Sequence, residues 1–94
     1  MAKPLTESDI EQKLGSLSGW KFENDKISNE YEFKNFSEAL GFIVRVGVEA
    51  EKQGHHPELF NVYNTVRISL STHDAGDKVT QKDLDLAKAI NELN

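Results

Sequence analysis

The stretch Glu51-Lys52-Gln53-Gly54-His55-His56-Pro57 divides the chain, because a long apolar segment ends here and two adjacent histidines precede a proline. Glycine at position 54 can adopt the left-handed backbone conformation that closes many helices. We therefore expect a helix before this stretch and extended chain after it. The two histidines lie at the boundary between the two.

The segment before this boundary has the pattern of a long amphipathic helix. Asn35, with Glu38 three residues later, marks its start, and helical spacing continues to Lys52. Its apolar residues cover roughly 240° of the helix circumference, which is wider than one sheet can bury. Either the first and last helices cover the excess, or the helix forms a homo-oligomeric interface. We expect the interface, in a homodimer or homotetramer.

The segment after the boundary has the pattern of a β-hairpin from 58 to 72, with Asn64-Thr65 as its turn. Antiparallel pairing then places His56 opposite His73, the third histidine of the chain. A shift of the turn by one residue exchanges which of His55 and His56 faces His73. The pattern thus predicts that all three imidazoles cluster at one edge of the sheet.

The other elements complete an α+β order. Thr6 and Thr80 are each followed by an acidic residue three positions later, as at the start of a helix. Gly19 permits the first helix to end, and Asn24-Asp25 supplies the turn of a first hairpin. The order α-β-β-α-β-β-α predicts one domain over residues 1–94, with three helices on one face of a four-stranded antiparallel sheet.

Composition excludes several classes of protein. The 94 residues include no cysteine, so disulfides, thiolate metal sites and cysteine nucleophiles are excluded. The net charge of −5 argues against direct binding of nucleic acid. No apolar run approaches the roughly 18 residues that span a bilayer, and the N-terminus lacks the pattern of a signal peptide. We expect a soluble, cytoplasmic protein.

The histidine cluster is the candidate for chemistry. Imidazole has a pKa near 6.5, so it both gives and takes protons at neutral pH, which suits the loss of water from a carbon that bears hydroxyl and nitrogen. One alternative is a solvated helix end, with His73 a strand terminus. The other is a three-histidine zinc site, although His55 and His56 would point to opposite faces of a strand. We therefore do not predict a metal site.

At these residues the sequence resembles the pterin-4a-carbinolamine dehydratases. The likeness extends over nearly the whole chain, and its distinctive feature is the joint occurrence, at fixed spacing, of the His-His-Pro, tyrosine and Thr-His elements. The matching residues are Glu51, His55-His56-Pro57, Phe60-Asn61-Val62-Tyr63-Asn64, Val66, Leu70-Ser71-Thr72-His73-Asp74, Gly19-Trp20, Phe36, Gly41-Phe42 and Thr80 to Ile90.

The resemblance implies dehydration of 4a-hydroxytetrahydrobiopterin to quinonoid dihydrobiopterin without metal or cofactor, in tetrahydrobiopterin recycling for aromatic amino-acid hydroxylases. It also implies that the substrate pocket is lined by Gly54, Ser71, Thr72 and Asp74 together with the catalytic residues His55, His56 and His73. Glu51 either orients a histidine or is a solvated helix-end carboxylate. Trp20 is expected in the core. Animal members commonly carry aspartate at the position of Gly54, so a carboxylate contact made there is absent here.

The resemblance also offers a second class of function, a binding module. Animal relatives act as dimerisation cofactors of a homeodomain transcription factor through the long helix, and a regulatory link to phenylalanine hydroxylase is suggested for bacterial members. An adaptor needs the apolar helix but not the imidazoles. Because the chain keeps all three histidines, we expect an enzyme first and a transcriptional coactivator or dimerisation module second.

Overall fold

Three helices pack on a four-stranded antiparallel sheet in this computed structural model, which describes residues 2–94. The α+β class and the order α-β-β-α-β-β-α are confirmed. The elements are α1 Glu7–Leu14, β1 Lys21–Glu23, β2 Lys26–Glu32, α2 Phe36–Gln53, β3 Glu58–Val62, β4 Thr65–Leu70, the 3-10 helix His73–Ala75, and α3 Gln81–Leu93.

The sheet has the strand order β1-β2-β4-β3, so the second strands of the two hairpins pair with each other at its centre. Side chains alternate across these strands, and the inward set on β4, which is Val66, Ile68 and Leu70, is buried in the core beneath the helices. The position after them, Thr72, is also buried. The same alternation continues past the end of β4, so the chain leads from this strand into the wall of a cleft.

Side-chain caps explain where the helices begin. The Thr6 hydroxyl accepts from the backbone N–H of the residue three positions on, at 3.1 Å, and the Asn35 side chain does the same at 2.9 Å. Thr80 and Asp83 form a reciprocal capping box at α3. Gly54, with a φ of 66°, closes α2. The predicted helix starts and the end of α2 are confirmed.

The predicted end of the first helix is wrong. Helix α1 stops at Leu14 and is followed by Gly15, and Leu17 is buried outside the helix. Gly19 serves another purpose, because its φ of 86° is left-handed and a Cβ there would lie 2.7 Å from the Asn29 side-chain oxygen. The glycine is required for a close approach of two chain segments.

The predicted turn of the second hairpin is wrong by one residue. Val62 pairs with Thr65, so the turn is Tyr63-Asn64. Asn64 is held by a neighbouring segment. Its backbone carbonyl accepts from the Phe33 N–H, and its side-chain amide donates to the Phe33 carbonyl, both at 2.8 Å. This contact joins residues 31 positions apart. It is therefore absent from any local turn pattern.

The predicted strand pairing of His56 with His73 is also wrong. Strand β3 begins at Glu58 and β4 ends at Leu70, so both histidines lie on connecting segments. His73 begins the 3-10 helix. The isolated bridge that follows β4 pairs Thr72 with Lys78 and turns the chain back towards α3. The histidines nevertheless line one cleft, although the connecting segments and not strand pairing place them there.

Helix α2 has two apolar faces. One packs into the core and consists of Ala39, Phe42, Val46 and Ala50. The other, which we call the apolar stripe, consists of Phe36, Leu40, Val44 and Val48, with exposed fractions from 43% to 64%. Helices α1 and α3 do not cover the stripe, so the alternative in which they bury the excess apolar surface is wrong.

Trp20 lies in the core, as predicted. It is 5% exposed, and its indole N–H donates to the Asn91 side-chain oxygen at 3.0 Å. The Tyr31 hydroxyl donates to the same oxygen, and burial raises the pKa of Tyr31 to about 12. This network ties α3 to the sheet.

Within residues 2–94, no helix combines the length and apolar composition needed to cross a bilayer.

Candidate active site

A cleft of about 250 Å³ lies where the C-terminal end of α2, the end of β4 and the first turn of α3 meet. The structure brings His55, His56 and His73 together in its wall. All other predicted substrate-binding residues line it too, together with one lysine that was not predicted. The lining residues are Gly54, His55, His56, Ser71, Thr72, His73, Asp74 and Lys82.

The end of α2 fixes the backbone of His55. Gly54 donates its N–H to the Glu51 carbonyl at 3.1 Å, and His55 donates its N–H to the Ala50 carbonyl at 3.1 Å. These are the two hydrogen bonds of a Schellman motif, which uses the left-handed glycine to reverse the chain. His55 is thus directed inward and is 9% exposed. The glycine is explained by the helix end alone.

His55 is held by a carboxylate that is completely buried. Its Nε2 lies 2.5 Å from Asp83 Oδ1. The other carboxylate oxygen accepts from the Thr72 hydroxyl at 2.8 Å and from the Thr80 backbone N–H at 2.9 Å. A buried carboxylate is tolerated only when its lone pairs are used in this way. The Thr72 hydroxyl therefore serves Asp83, although Thr72 also lines the cleft.

His56 is held by an exposed carboxylate. Its Nε2 lies 2.7 Å from Glu51 Oε1, and both side chains are largely open to solvent. Glu51 lies in the last turn of α2, five residues before its partner. The residue predicted as a possible orienting group is thus in contact with one of the histidines.

His73 is also paired, with a residue of its own loop. Its Nδ1 lies 2.9 Å from Asp77 Oδ1, and its side chain is 90% exposed. The hydrogen bond to Asp77, and then the charges of Asp77 and Asp74, raise the pKa of His73 above 6.5. His73 therefore holds a proton at higher pH than an isolated imidazole does.

The three imidazoles share one chemical arrangement. An ionised carboxylate only accepts hydrogen bonds, so each contacted ring nitrogen carries the hydrogen. Among the described residues, the second nitrogen of each ring has no hydrogen-bond partner: this is Nδ1 in His55 and His56 and Nε2 in His73. Each ring is thus oriented by one nitrogen, and the other can exchange a proton. Three such groups in one cleft are suited to acid and base catalysis.

Residues 2–94 contain no group of three or more His, Cys, Asp or Glu side chains arranged to hold a metal ion.

A larger cleft, of about 630 Å³, lies on the outer face of the sheet beside Ser28, Arg67 and Ser69. It includes none of the histidines, so the smaller cleft is the candidate active site.

Sequence reasoning missed three charged residues of this region. Asp83 was predicted as the capping partner of Thr80, a pattern that is present, but its contact with His55 spans 28 positions. Lys82 precedes it on α3 and reaches the cleft because of where the helix begins. Asp77 was not singled out from the sequence. Its spacing of four residues from His73 was the one available signal.

Fold and site together define a small α+β protein with three carboxylate-paired histidines in one cleft. The family model for pterin 4 alpha carbinolamine dehydratase matches residues 3–93. The chain belongs to this family.

Relatives agree over nearly their full length. One from Opitutus terrae, provisionally named pterin-4-alpha-carbinolamine dehydratase, is 49% identical over 96% of this chain and 93% of its own length. Another with the same provisional name, from Sulfolobus acidocaldarius, is 43% identical over 95% of this chain and 97% of its own. The match therefore includes every element of the fold.

Solved structures agree as well. A crystal structure described as a transcriptional coactivator/pterin dehydratase from Brucella melitensis superposes with a TM-score of 0.91 at 39% identity, and covers 97% of this chain and 98% of that one. A pterin dehydratase-like protein identified as a RuBisCO assembly factor in the alpha-carboxysome shares the fold, with a TM-score of 0.63 at 16% identity over 79% of this chain and 84% of that one.

Proposed function

We propose that this chain dehydrates 4a-hydroxytetrahydrobiopterin to quinonoid dihydrobiopterin by acid and base catalysis, in tetrahydrobiopterin recycling. The observation that carries the proposal is the meeting of His55, His56 and His73 in one cleft, each with one nitrogen bound to a carboxylate. Membership of the pterin dehydratase family supports the substrate class.

The chemistry needs an acid and a base on one ring system. The bond between C4a and its hydroxyl oxygen breaks, and the oxygen leaves as water after receiving a proton. The electron pair of the adjacent ring nitrogen forms the new double bond, and a base removes that nitrogen's proton. Nothing is oxidised or reduced, so the balance requires no redox cofactor. Imidazoles perform both proton transfers near neutral pH.

We assign the proton transfers to His55 and His56, and we assign to His73 the positioning or stabilisation of the pterin. His55 and His56 are adjacent in the chain and are both in the cleft wall, and Nδ1 of each forms no hydrogen bond with any residue of the described range 2–94. Glu51 orients His56 in this proposal. Gly54, Ser71, Thr72 and Asp74 would contact the pterin through backbone and side-chain groups along the wall.

The test is a stopped-flow assay of 4a-carbinolamine dehydration. Wild type should accelerate the reaction over buffer, and His55→Ala and His56→Ala should each lower the rate roughly 10²- to 10⁴-fold, the usual contribution of one acid or base. Lys88→Ala is the control, because Lys88 is exposed on α3 and does not line the cleft. No acceleration by wild type would remove the proposal.

We also propose self-association through α2, in a homodimer or homotetramer. The apolar stripe supports it, since Val44 and Val48 are each 64% exposed and neighbour two more large apolar side chains at spacings of four residues. The same surface is the candidate for a coactivator-type partner, the second function class. The description of the Brucella melitensis structure joins the two activities. A functional link to an aromatic amino-acid hydroxylase would be a further use of such a surface.

Sedimentation over a range of concentrations tests the stripe. Val44→Glu places a charge in the centre of the stripe and should shift the protein towards monomer. Gln12→Glu adds the same charge at an exposed position of α1 and should leave the association unchanged. A wild-type monomer at every concentration would contradict self-association, and the stripe would then be assigned to a different partner.

A further inference from the structure

The loop between β4 and α3 is tightly closed on itself. Thr72 and Lys78 form an antiparallel bridge, with the Thr72 N–H donating to the Lys78 carbonyl at 2.8 Å. The Asp77 N–H donates to the Thr72 carbonyl at 3.1 Å. The 3-10 helix that begins at His73 fills the space between. His73 and Asp77 are therefore presented from a constrained backbone, even though their side chains are exposed.

Asp77 adopts an unusual backbone conformation in this loop. Its φ is 60°, directly after Gly76 at 76°. Left-handed conformations are uncommon outside glycine, and aspartate and asparagine are the residues that tolerate them best. The conformation brings the Asp77 carboxylate back onto His73, at 2.9 Å from Nδ1. Turn geometry alone would be satisfied by a second glycine, so the carboxylate indicates a role for the side chain.

We propose that Asp77 is a positioning residue that orients the His73 imidazole in the cleft through its contact with Nδ1 and thereby favours the protonated ring. The carboxylate accepts from Nδ1–H, which leaves Nε2–H as the group that can face a ligand. A protonated His73 would then donate to, or balance negative charge on, the bound molecule. This role rests on the proposed function, whereas the protonation of His73 is measurable without any substrate.

The charges around His73 come from every element that meets at the cleft. Asp74 and Asp77 on its own loop favour the protonated ring, first through the hydrogen bond and then through charge, and they raise its pKa. Lys82 on α3 and His55 and His56 at the end of α2 line the same cleft, but none of them contacts the His73 ring as closely as Asp77 does. The carboxylates prevail because one of them is in direct contact.

An NMR titration of the 94-residue chain tests the protonation of His73. The His73 pKa should be lower in Asp77→Asn, which keeps an acceptor and tolerates the backbone conformation, and lower in Asp77→Gly, which removes the side chain. Asp25→Asn is the matched control: Asp25 also has a φ of 60°, and it also forms an ion pair at 2.9 Å, with Lys78 of the same loop. It should leave the His73 pKa unchanged. An unchanged His73 pKa in Asp77→Asn would overturn the proposal.

The pH profile of dehydration separates positioning from charge. Asp77→Asn should match wild type at acidic pH and lose activity at lower pH than wild type as the solution is made alkaline. Asp77→Gly should be slower than wild type throughout, because the ring is no longer oriented. Identical profiles for all variants would overturn the role in catalysis. An inactive wild type with the expected pKa changes would instead count against the proposed function and leave the pairing in place.

Discussion

His55 and His73 form the same kind of carboxylate pair at opposite extremes of solvent exposure. The side chains of the His55–Asp83 pair are 10% and 0% exposed, and those of the His73–Asp77 pair are 90% and 68% exposed. Water competes for the second pair but not for the first. Loss of one partner of the buried pair should therefore destabilise the fold, whereas the exposed pair acts on the protonation of one ring.

The difference follows from what surrounds each carboxylate. Asp83 has donors from three segments: His55 after α2, Thr72 after β4 and the backbone of Thr80 before α3. It holds the cleft's three walls together. Asp77 accepts from His73 within one loop. Loss of the first carboxylate leaves several buried donors without partners, whereas loss of the second leaves only groups that water can reach.

The largest effect is expected for Asp83→Asn. The amide offers one acceptor and places an NH₂ group against donors, so stability should fall by about 1–3 kcal/mol, and catalysis should fall with the misplaced His55. Urea unfolding measures the first and the dehydration assay the second. Asp85→Asn, on an exposed position of the same helix, should change stability by less than about 0.5 kcal/mol. Equal stability changes in the two variants would contradict the structural role of Asp83.

The histidines themselves sharpen the comparison. His55→Ala removes one donor from the buried Asp83 and should destabilise the chain by roughly 1–3 kcal/mol, in addition to lowering activity. His73→Ala removes an exposed ring and should lower activity while leaving the unfolding midpoint in urea nearly unchanged. A fold that loses as much stability on the loss of His73 as on the loss of His55 would show that exposure does not divide the two pairs.

Local rules predicted most of the fold because the deciding contacts are local. Thr6, Asn35 and Thr80 cap helices through hydrogen bonds that span three residues or fewer, and Gly54 ends α2 within one turn. The alternation of burial along β4 likewise follows the spacing of its apolar residues. These features are fixed by backbone geometry over a few residues, so a single sequence displays them.

The errors fall where distant segments meet. Gly19 is needed because Asn29 approaches it, and the turn at Tyr63-Asn64 is placed by a contact with Phe33. The contact between Asp83 and His55 also joins distant segments, so local patterns did not predict it. The three histidines were correctly expected to lie close together, but the predicted pairing of His56 with His73 across the strands was wrong. The order of the elements was enough to predict that the rings are near one another. It was not enough to predict which carboxylate each ring contacts.

The smallest expected effect is the pH dependence of the exposed pair. The folded pKa of His73 is raised above its unfolded value of 6.5, so the pair's stabilisation is fully present below 6.5 and is lost as pH rises through the folded pKa. The stability difference between wild type and Asp77→Asn should therefore be largest at mildly acidic pH and disappear at alkaline pH.

Urea unfolding of both proteins across this range measures that difference, with Asp25→Asn as the control for an exposed pair in which lysine replaces histidine. The Asp25–Lys78 pair contains no histidine, so its small contribution should stay level while that of His73–Asp77 declines. A difference for Asp77→Asn that grows towards alkaline pH would reverse the sign, and the carboxylate would then be acting on the backbone turn and not on the ring.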